Sequence, residues 1–313
     1  MHIPFECTIM GAYRFGAANY LAILGIAWLP FLLFLAAAML LVVSMLPELS
    51  SLMAIGADTW DETRVSAFVV SILGKTLLVL VLLLLAFAIV TVGLMRKALG
   101  QDFETVFLYF SLGADTWRLV GAYIVLLLLA TACIIAYCLG VGLISFLLAQ
   151  VSAGLQGVAT TLLILGGIVF GIYAIVRTQF FLPAVVVAEH HIGVRRSWKL
   201  GRGNFWRIVG IVLAVSLPAY VVFTVLDSIV LQLALNGQAL PMVGATPGKV
   251  TPGEVRQYFT MWFAAVRSVL PVMALLQLLY MVAVTGLSAG AVATAYELVT
   301  GHDKSSDSTK VSV

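Results

Sequence analysis

Leu77-Leu-Val-Leu-Val-Leu-Leu-Leu-Leu85 is an unbroken aliphatic run with no polar position in it. A membrane β-barrel strand must alternate lipid-facing and lumen-facing residues, and this run has no alternation to offer. A helix carries it without difficulty, because a helix satisfies its own backbone hydrogen bonds in a medium that has no water. The run extends on both sides to cover residues 68–95. An apolar stretch of about 20 residues crosses a bilayer core of roughly 30 Å as a helix, and five further stretches meet that length: 21–46, 119–149, 158–177, 208–235 and 263–295. The whole composition agrees. Hydrophobic residues make up 62% of the 313 and charged residues 10%, against roughly 45–50% and about 25% in soluble domains. The expected fold is therefore all-α, a polytopic helical membrane protein with six transmembrane helices.

The charges set an orientation. With both termini in the cytoplasm, the inner segments (1–20, 96–118, 189–207 and 297–313) hold 11 Lys and Arg, and the outer segments (47–65, 150–157 and 236–262) hold 3. The first outer loop carries Glu48, Asp58, Asp61 and Glu62 against Arg64 alone. That is the asymmetry of the positive-inside rule, and it points to a multi-pass protein of a bacterial inner membrane with both termini cytoplasmic. The net charge of +3 is then a topology signal and gives no support to nucleic-acid binding. The first apolar run starts some twenty residues in and lacks a small-residue cleavage site, so it reads as a retained span. Cys133 and Cys138 lie in one span and Cys7 outside it, which makes no disulfide framework or metal spacing.

One phrase occurs three times, each time opening a span: Gly16-Ala-Ala-Asn19-Tyr20-Leu-Ala-Ile-Leu-Gly25, Gly113-Ala-Asp115-Thr-Trp117-Arg118-Leu-Val-Gly121 and Gly201-Arg-Gly-Asn204-Phe205-Trp206-Arg207-Ile-Val-Gly210. An internal repeat of this kind defines an architecture. Gly16, Gly113 and Gly201 suit a chain turning at a helix end, Asn19, Asp115 and Asn204 are good N-cap residues, and Tyr20, Trp117, Phe205 and Trp206 suit the headgroup level. Before the first two copies, Ile3, Phe5, Ile9, Met10 and Tyr13, and then Phe103, Val106, Phe107 and Phe110, recur at helical spacing among polar neighbours. They predict helices lying in the cytoplasmic interface. Before the third copy, Pro183 is expected to break or kink the apolar continuation of the fourth span, which would then run along the cytoplasmic surface to Trp198.

Residues 1–300 thus read as a single domain of three helical-hairpin modules, approximately 1–95, 96–177 and 178–300. Thr251-Pro252-Gly253-Glu254 has a capping-box pattern with Pro at the first helical position and predicts a helix leading into the last span. Pro271 is expected to kink that span. Residues 301–313 are polar and predict a disordered tail.

Arg177-Thr-Gln-Phe-Phe-Leu-Pro183-Ala-Val-Val-Val-Ala-Glu189, followed by Arg196-Ser-Trp198-Lys199-Leu200 and the third phrase to Gly210, resembles a known pattern. It is similar to the integral-membrane domain superfamily of glycerophosphoryl diester phosphodiesterases and related inner-membrane proteins, in which an Arg closes a span and a basic, Trp-rich or Ser-rich phrase opens the next. The resemblance covers about 35 residues. It implies a membrane domain of that kind. The metal-binding Glu, Asp and His residues of the soluble catalytic domain have no counterpart here, so it does not imply phosphodiester hydrolysis.

Few residues could carry chemistry. Arg177 lies at the cytoplasmic end of its span, where it can snorkel or pair with Glu189. Lys75 can snorkel at the outer end of the second span, and Asp227 and Arg267, near the outer ends of the last two, could form a structural ion pair. Arg195, Arg196, Lys199, Arg202 and Arg207 are the densest charge in the chain and, with Arg118 and Arg177, are the candidates for contact with anionic headgroups. His190 and His191 diverge by about 100° on a helix and cannot readily share one ion. No nucleophile, base, metal set or cofactor motif is present. Gly167-x-x-x-Gly171 and Gly286-x-x-x-Gly290 allow close helix contact within the monomer.

The reading that results is a non-enzymatic membrane protein that binds membrane lipids, anionic ones in particular, or a membrane-protein partner or second copy of itself. The alternative is a small-molecule or ion transporter, with Arg177, Asp227 and Gln277 as the polar groups able to line a path. A membrane enzyme of lipid metabolism stands third. A transporter needs a polar cavity near the midplane, an enzyme a cluster of titratable groups at one interface, and a scaffold neither.

Overall fold

A computed structural model describes residues 2–54, 62–101, 109–235 and 252–301, and among these all regular structure is α-helical. The elements are α1 (Phe5–Ala18), α2 (Tyr20–Ala54), α3 (Glu62–Ala98), α4 (Ala114–Ala149), α5 (Ala153–Gln179), α6 (Leu182–Glu189), α7 (Val194–Leu200), α8 (Phe205–Ala234) and α9 (Pro252–Thr300). Six of these regions, all but α1 and α7 with α6 continuing α5, are long and apolar enough to cross a membrane. The chain is a multi-pass helical membrane protein. Pro252 opens α9 and Pro271 lies inside it. Thr251, the segment 102–108 expected to be the second interfacial helix, and the tail 302–313 lie outside the described residues. Residues 109–112, the end of that expected helix, are not helical.

Sequence neighbours pack as pairs: α2 on α3, α4 on α5 and α8 on α9. Contacts fix the pairs as antiparallel. Phe31 meets Phe87 and Lys75 donates to the Ser44 carbonyl, Ser145 bonds Thr160 while Tyr137 donates to the Leu163 carbonyl, and Phe223 meets Tyr280 edge-on. Helices α9, α3, α4, α5 and α8 then touch in sequence, and α8 returns to α9, which closes a ring. The starts of α4 and α8 and the ends of α3, α5 and α9 gather at one end of it, here called the base. The core sits there as well. The buried residues of α4 lie between Asp115 and Leu126, those of α8 between Ile208 and Val215, and Arg177 is the buried residue of α5. Beyond the base, α4 and α5 expose apolar side chains away from their mutual contact, as helices facing hydrocarbon do.

The segment after the fourth span is placed differently from expectation. Helix α5 ends at Gln179, and Pro183 falls in the first turn of α6, where its missing N–H has no helical partner to lose. Helix α6 does not run along a surface. Leu182 through Val187 are all buried, and α6 packs against α3, α4, α5, α7 and α9. The reason is composition and length together: Leu-Pro-Ala-Val-Val-Val-Ala has no polar face, and a helix of eight residues is too short to span a bilayer, so its apolar surface is kept from water by burial in the protein. It is a plug across the base of the ring.

Helix α1 and the residues just before it pack on the bundle with most of the expected side chains: Ile3 is buried, Ile9 lies on the core, Phe5 lies against Gly210 and Tyr13 donates to the Ala214 carbonyl of α8, while Met10 faces outward. Thr8 and Ala12 are buried as well, and Gly11 is close against Thr294 of α9. Gly290 lies against Phe15 and Gly286 against Ile23, so the Gly286/Gly290 pair does serve packing within the chain. Of the other pair, Gly167 accommodates the Tyr137 ring and Gly171 faces open space.

Candidate functional site

The three repeat phrases meet at the base, and the polar residues of the second and third copies act as clasps between elements in place of the expected N-caps, while that of the first caps the end of α1. In the first copy Asn19 follows α1, and its side-chain amide donates to the Phe15 carbonyl at 3.1 Å, tying off α1. In the third, Asn204 precedes α8 without capping it. Its Oδ1 accepts from the Ile3 N–H at 3.0 Å, and Arg207 Nη1 donates to the Ile3 carbonyl at 3.0 Å, so both backbone groups of Ile3 are held by α8. Gly201 ends α7 and opens the turn before α8, as expected, whereas Gly16 lies inside α1 and Gly113 directly precedes α4. Among described glycines positive φ occurs at Gly100, Gly203 and Gly301, and Gly201 has φ −72°. What Gly201 provides is proximity: a Cβ there would stand 2.8 Å from both the Arg177 carbonyl oxygen and Cγ.

The second copy builds the densest cluster. Asp115, one residue into α4 and without a capping bond of its own element, has a side chain only 4% exposed. It accepts from Arg96 Nη2 at 2.6 Å on Oδ2, and from Arg118 Nη1 at 2.7 Å and His190 Nδ1 at 3.1 Å on Oδ1. The donors come from the last turn of α3, the first turn of α4 and the residue after α6. One buried carboxylate therefore fastens three elements. His190 has φ 54°, the single described non-glycine residue in the left-handed region, a conformation that costs about 1–3 kcal/mol unless its surroundings hold it. The bond to Asp115 is part of what holds it. Tyr109, close to Arg96 and Asp115, lies under Gly93, and burial pushes its phenol up from the ordinary value.

Beside this cluster, Glu189 accepts from Tyr296 at 3.1 Å and from Arg196 Nε at 3.2 Å, joining α6, α9 and α7. It does not pair with Arg177. Arg177 turns inward and is 8% exposed, with Nε donating to the Trp198 carbonyl at 3.0 Å and Nη1 to the Tyr173 hydroxyl at 2.7 Å. Its guanidinium lies 4.0 Å from the centre of the Trp198 ring. The planar cation stacks and hydrogen-bonds at once, which arginine does and lysine does not. Arg177 thus anchors α7 to α5, and the expected headgroup contact at this position gives way to an internal role.

The outward face of α7 and its continuation is basic: Arg195, Arg196, Lys199, Arg202 and Arg207 are exposed, while Ser197 is buried. Arg195, Lys199 and Arg202 make no ion pair among the described residues. The repeat aromatics ring the same end, with Tyr20 49%, Trp117 56% and Trp206 80% exposed. At the far end, Asp227 and Arg267 form no ion pair, and Asp227 Oδ1 is buried without a hydrogen-bond partner among the described residues. Some twenty residues of α8, about 30 Å of helix, separate Asp227 from the Arg177 neighbourhood at Phe205. The two cannot belong to one site, and α6 fills the base between the helices. No group of three metal-ligating side chains occurs among the described residues, and the three cysteines are free and exposed.

Comparison with protein families, with curated proteins and with solved structures finds no match to this chain. The resemblance carried by Arg177 to Gly210 therefore stands on those residues.

Sequence reasoning reached Arg118 and the α7 cations but missed Arg96, His190, Tyr173 and Tyr296. One signal was available for Arg96. Of the three equivalent repeat positions, Asp115 alone is ionised, in a segment otherwise selected for positive charge.

Proposed function

We propose that this is a non-enzymatic inner-membrane protein whose base faces the cytoplasm and binds anionic lipid headgroups. The observation that carries the reading is the pairing of an exposed basic face on α7 with an exposed aromatic from each repeat copy at the same end. Tryptophan and tyrosine prefer headgroup depth, and a cluster of four to eight cations beside a span attracts anionic lipid with roughly 1 kcal/mol per residue. Arg177, Trp198 and Gly201 support it indirectly by holding α7 in a fixed attitude. The membrane-domain resemblance of residues 177–210 is in keeping with such a role. The uncovered faces of α4 and α5 also fit a membrane-protein partner or a second copy of the chain.

Extraction into polymer-bounded discs, followed by analysis of the surrounding lipid, tests the reading. Native protein should be enriched in anionic lipid over the bulk membrane, and the combined variant Arg195→Gln, Lys199→Gln, Arg202→Gln should lose the enrichment. Equal enrichment in both would reject the α7 face. The transporter alternative draws on one observation, the unpartnered Asp227 Oδ1 in a membrane span, and proton or cation flux lost in Asp227→Asn proteoliposomes would favour it.

A further inference from the structure

We propose that Arg96, Arg118 and His190, gathered by Asp115, form a site for the phosphate group of one anionic lipid. The proposal rests on the base being the headgroup-facing end, and it adds a specific site apart from the basic face of α7.

The charge balance comes first. Two guanidinium groups meet one carboxylate, so a positive charge is left uncompensated with the imidazole neutral. The other carboxylate nearby, Glu189, is engaged by Arg196 and Tyr296 and lies 3.8 Å from His191. Each guanidinium carries five N–H donors. One from each is directed at Asp115, and the Arg96 and Arg118 side chains remain partly open to the surface. His190 is exposed with its Nδ1–H turned to Asp115, so its Nε2 donates to an oxyanion only in the imidazolium form, and with the ring neutral the donors are those of the two arginines.

Preorganisation comes second. A buried carboxylate holding three donors from three elements fixes their spacing before a ligand arrives, so an oxyanion that binds across them does not have to immobilise long side chains. Planar guanidinium groups suit phosphate geometry, and such charge-assisted bonds are the strong ones. In the third copy the equivalent pair, Asn204 and Arg207, is committed to Ile3 and the polar residue is neutral. The second copy is the one in which two arginines converge on a single carboxylate.

The surroundings indicate that the phosphate is lipid-borne. Trp117 precedes Arg118 on α4, Phe110 and Leu112 lie just ahead of Asp115 in the chain, and Ile192, two residues after His190, reaches Gly121 of α4; all four expose apolar surface. A soluble phosphate has no use for such a rim, whereas a lipid places glycerol and acyl carbons there.

The test uses the full chain, purified in detergent and exchanged with phosphatidylglycerol or phosphatidylcholine, with retained lipid read by native mass spectrometry. Native protein should keep one phosphatidylglycerol per chain after washing and keep no phosphatidylcholine. Arg118→Gln should lower retention by about tenfold or more, as loss of a charge-assisted contact of about 1.5–3 kcal/mol implies. His190→Gln, which leaves both Arg–Asp pairs in place, should lower it less and guards against a folding defect in the arginine variant. The α7 triple variant should keep the bound lipid while losing general enrichment, so the two readings fail separately. Retention unchanged in folded Arg118→Gln and Arg96→Gln overturns the site. Displacement by inorganic phosphate at concentrations comparable to the lipid overturns the lipid assignment.

Discussion

Arg96 at the end of α3 and Asp115 at the start of α4 are joined by a 2.6 Å hydrogen-bonded ion pair. The intervening stretch includes the segment 102–108, and the pair fixes where the chain must re-enter the bundle. Removing the carboxylate leaves two arginines and a strained histidine without their common partner. Asp115→Asn should destabilise the protein by about 1–3 kcal/mol, less than the cost of breaking a fully buried pair because both arginines are part-exposed. Denaturant unfolding in mixed micelles measures this, and an unchanged midpoint would show that the clasp is not needed for stability.

Close approach at Gly201 gives a sharper test. A methyl group there meets the Arg177 carbonyl oxygen, which is backbone and cannot rotate away. Gly201→Ala should cost about 1–3 kcal/mol by overpacking and release α7 from α5, read as faster thiol labelling of a cysteine placed at 199. Gly140→Ala, whose Cβ meets nothing within 4 Å, should leave thermal stability unchanged.

Arg177→Lys keeps the charge and loses the planar group. The stack on Trp198 and the simultaneous bonds to the Trp198 carbonyl and Tyr173 cannot all be reproduced by an ammonium. A drop in stability of about 1–3 kcal/mol is expected from the lost stack and hydrogen bonds, with methionine at this position worse still for the bare tyrosine hydroxyl. Thermal unfolding of the two variants beside the native chain decides it. Native-like stability of the lysine variant would mean that charge alone suffices.

The plug helix predicts an asymmetry between two leucines. Leu182 is fully buried and Leu143 is 61% exposed. Leu182→Ala should cost about 2–5 kcal/mol through the cavity it leaves, and Leu143→Ala should cost much less in the same unfolding assay. Equal costs would contradict the burial of α6.

Orientation can be settled by chemistry on single cysteines. With Cys7, Cys133 and Cys138 replaced by serine, cysteines at the exposed Met10 and near Val194 should resist an impermeant thiol reagent added outside intact cells and react after permeabilisation. Reaction before permeabilisation at either position would reverse the proposed topology.

How much was legible in the sequence varies by element. The apolar runs gave the helices and their approximate limits, because hydropathy over some twenty residues reports directly on what a membrane will accept. The burial of α6 was not reached from the sequence, which placed the chain along a surface there: the lack of any polar face from Leu182 to Ala188 suits a protein interior or a membrane surface alike, and packing chooses between them. The repeat phrase marked the right residues and suggested the wrong partners. Asn19, Asp115 and Asn204 have the chemistry of caps, and the same chemistry serves equally well to bind a carbonyl, a guanidinium or an N–H that folding brings near.

The sequence by itself determined the class of the protein, its six long apolar helices and the basic character of α7, since each depends on residues close together in the chain. Tertiary structure decided the rest: that Asp115 gathers Arg96, Arg118 and His190, that Arg177 stacks on Trp198, and that Asn204 holds Ile3 across 201 positions. Apart from the i,i+3 pair of Asp115 with Arg118, no local spacing encodes those contacts. They follow from how the ring of helices closes around α6, which brings groups far apart in the chain within hydrogen-bonding reach.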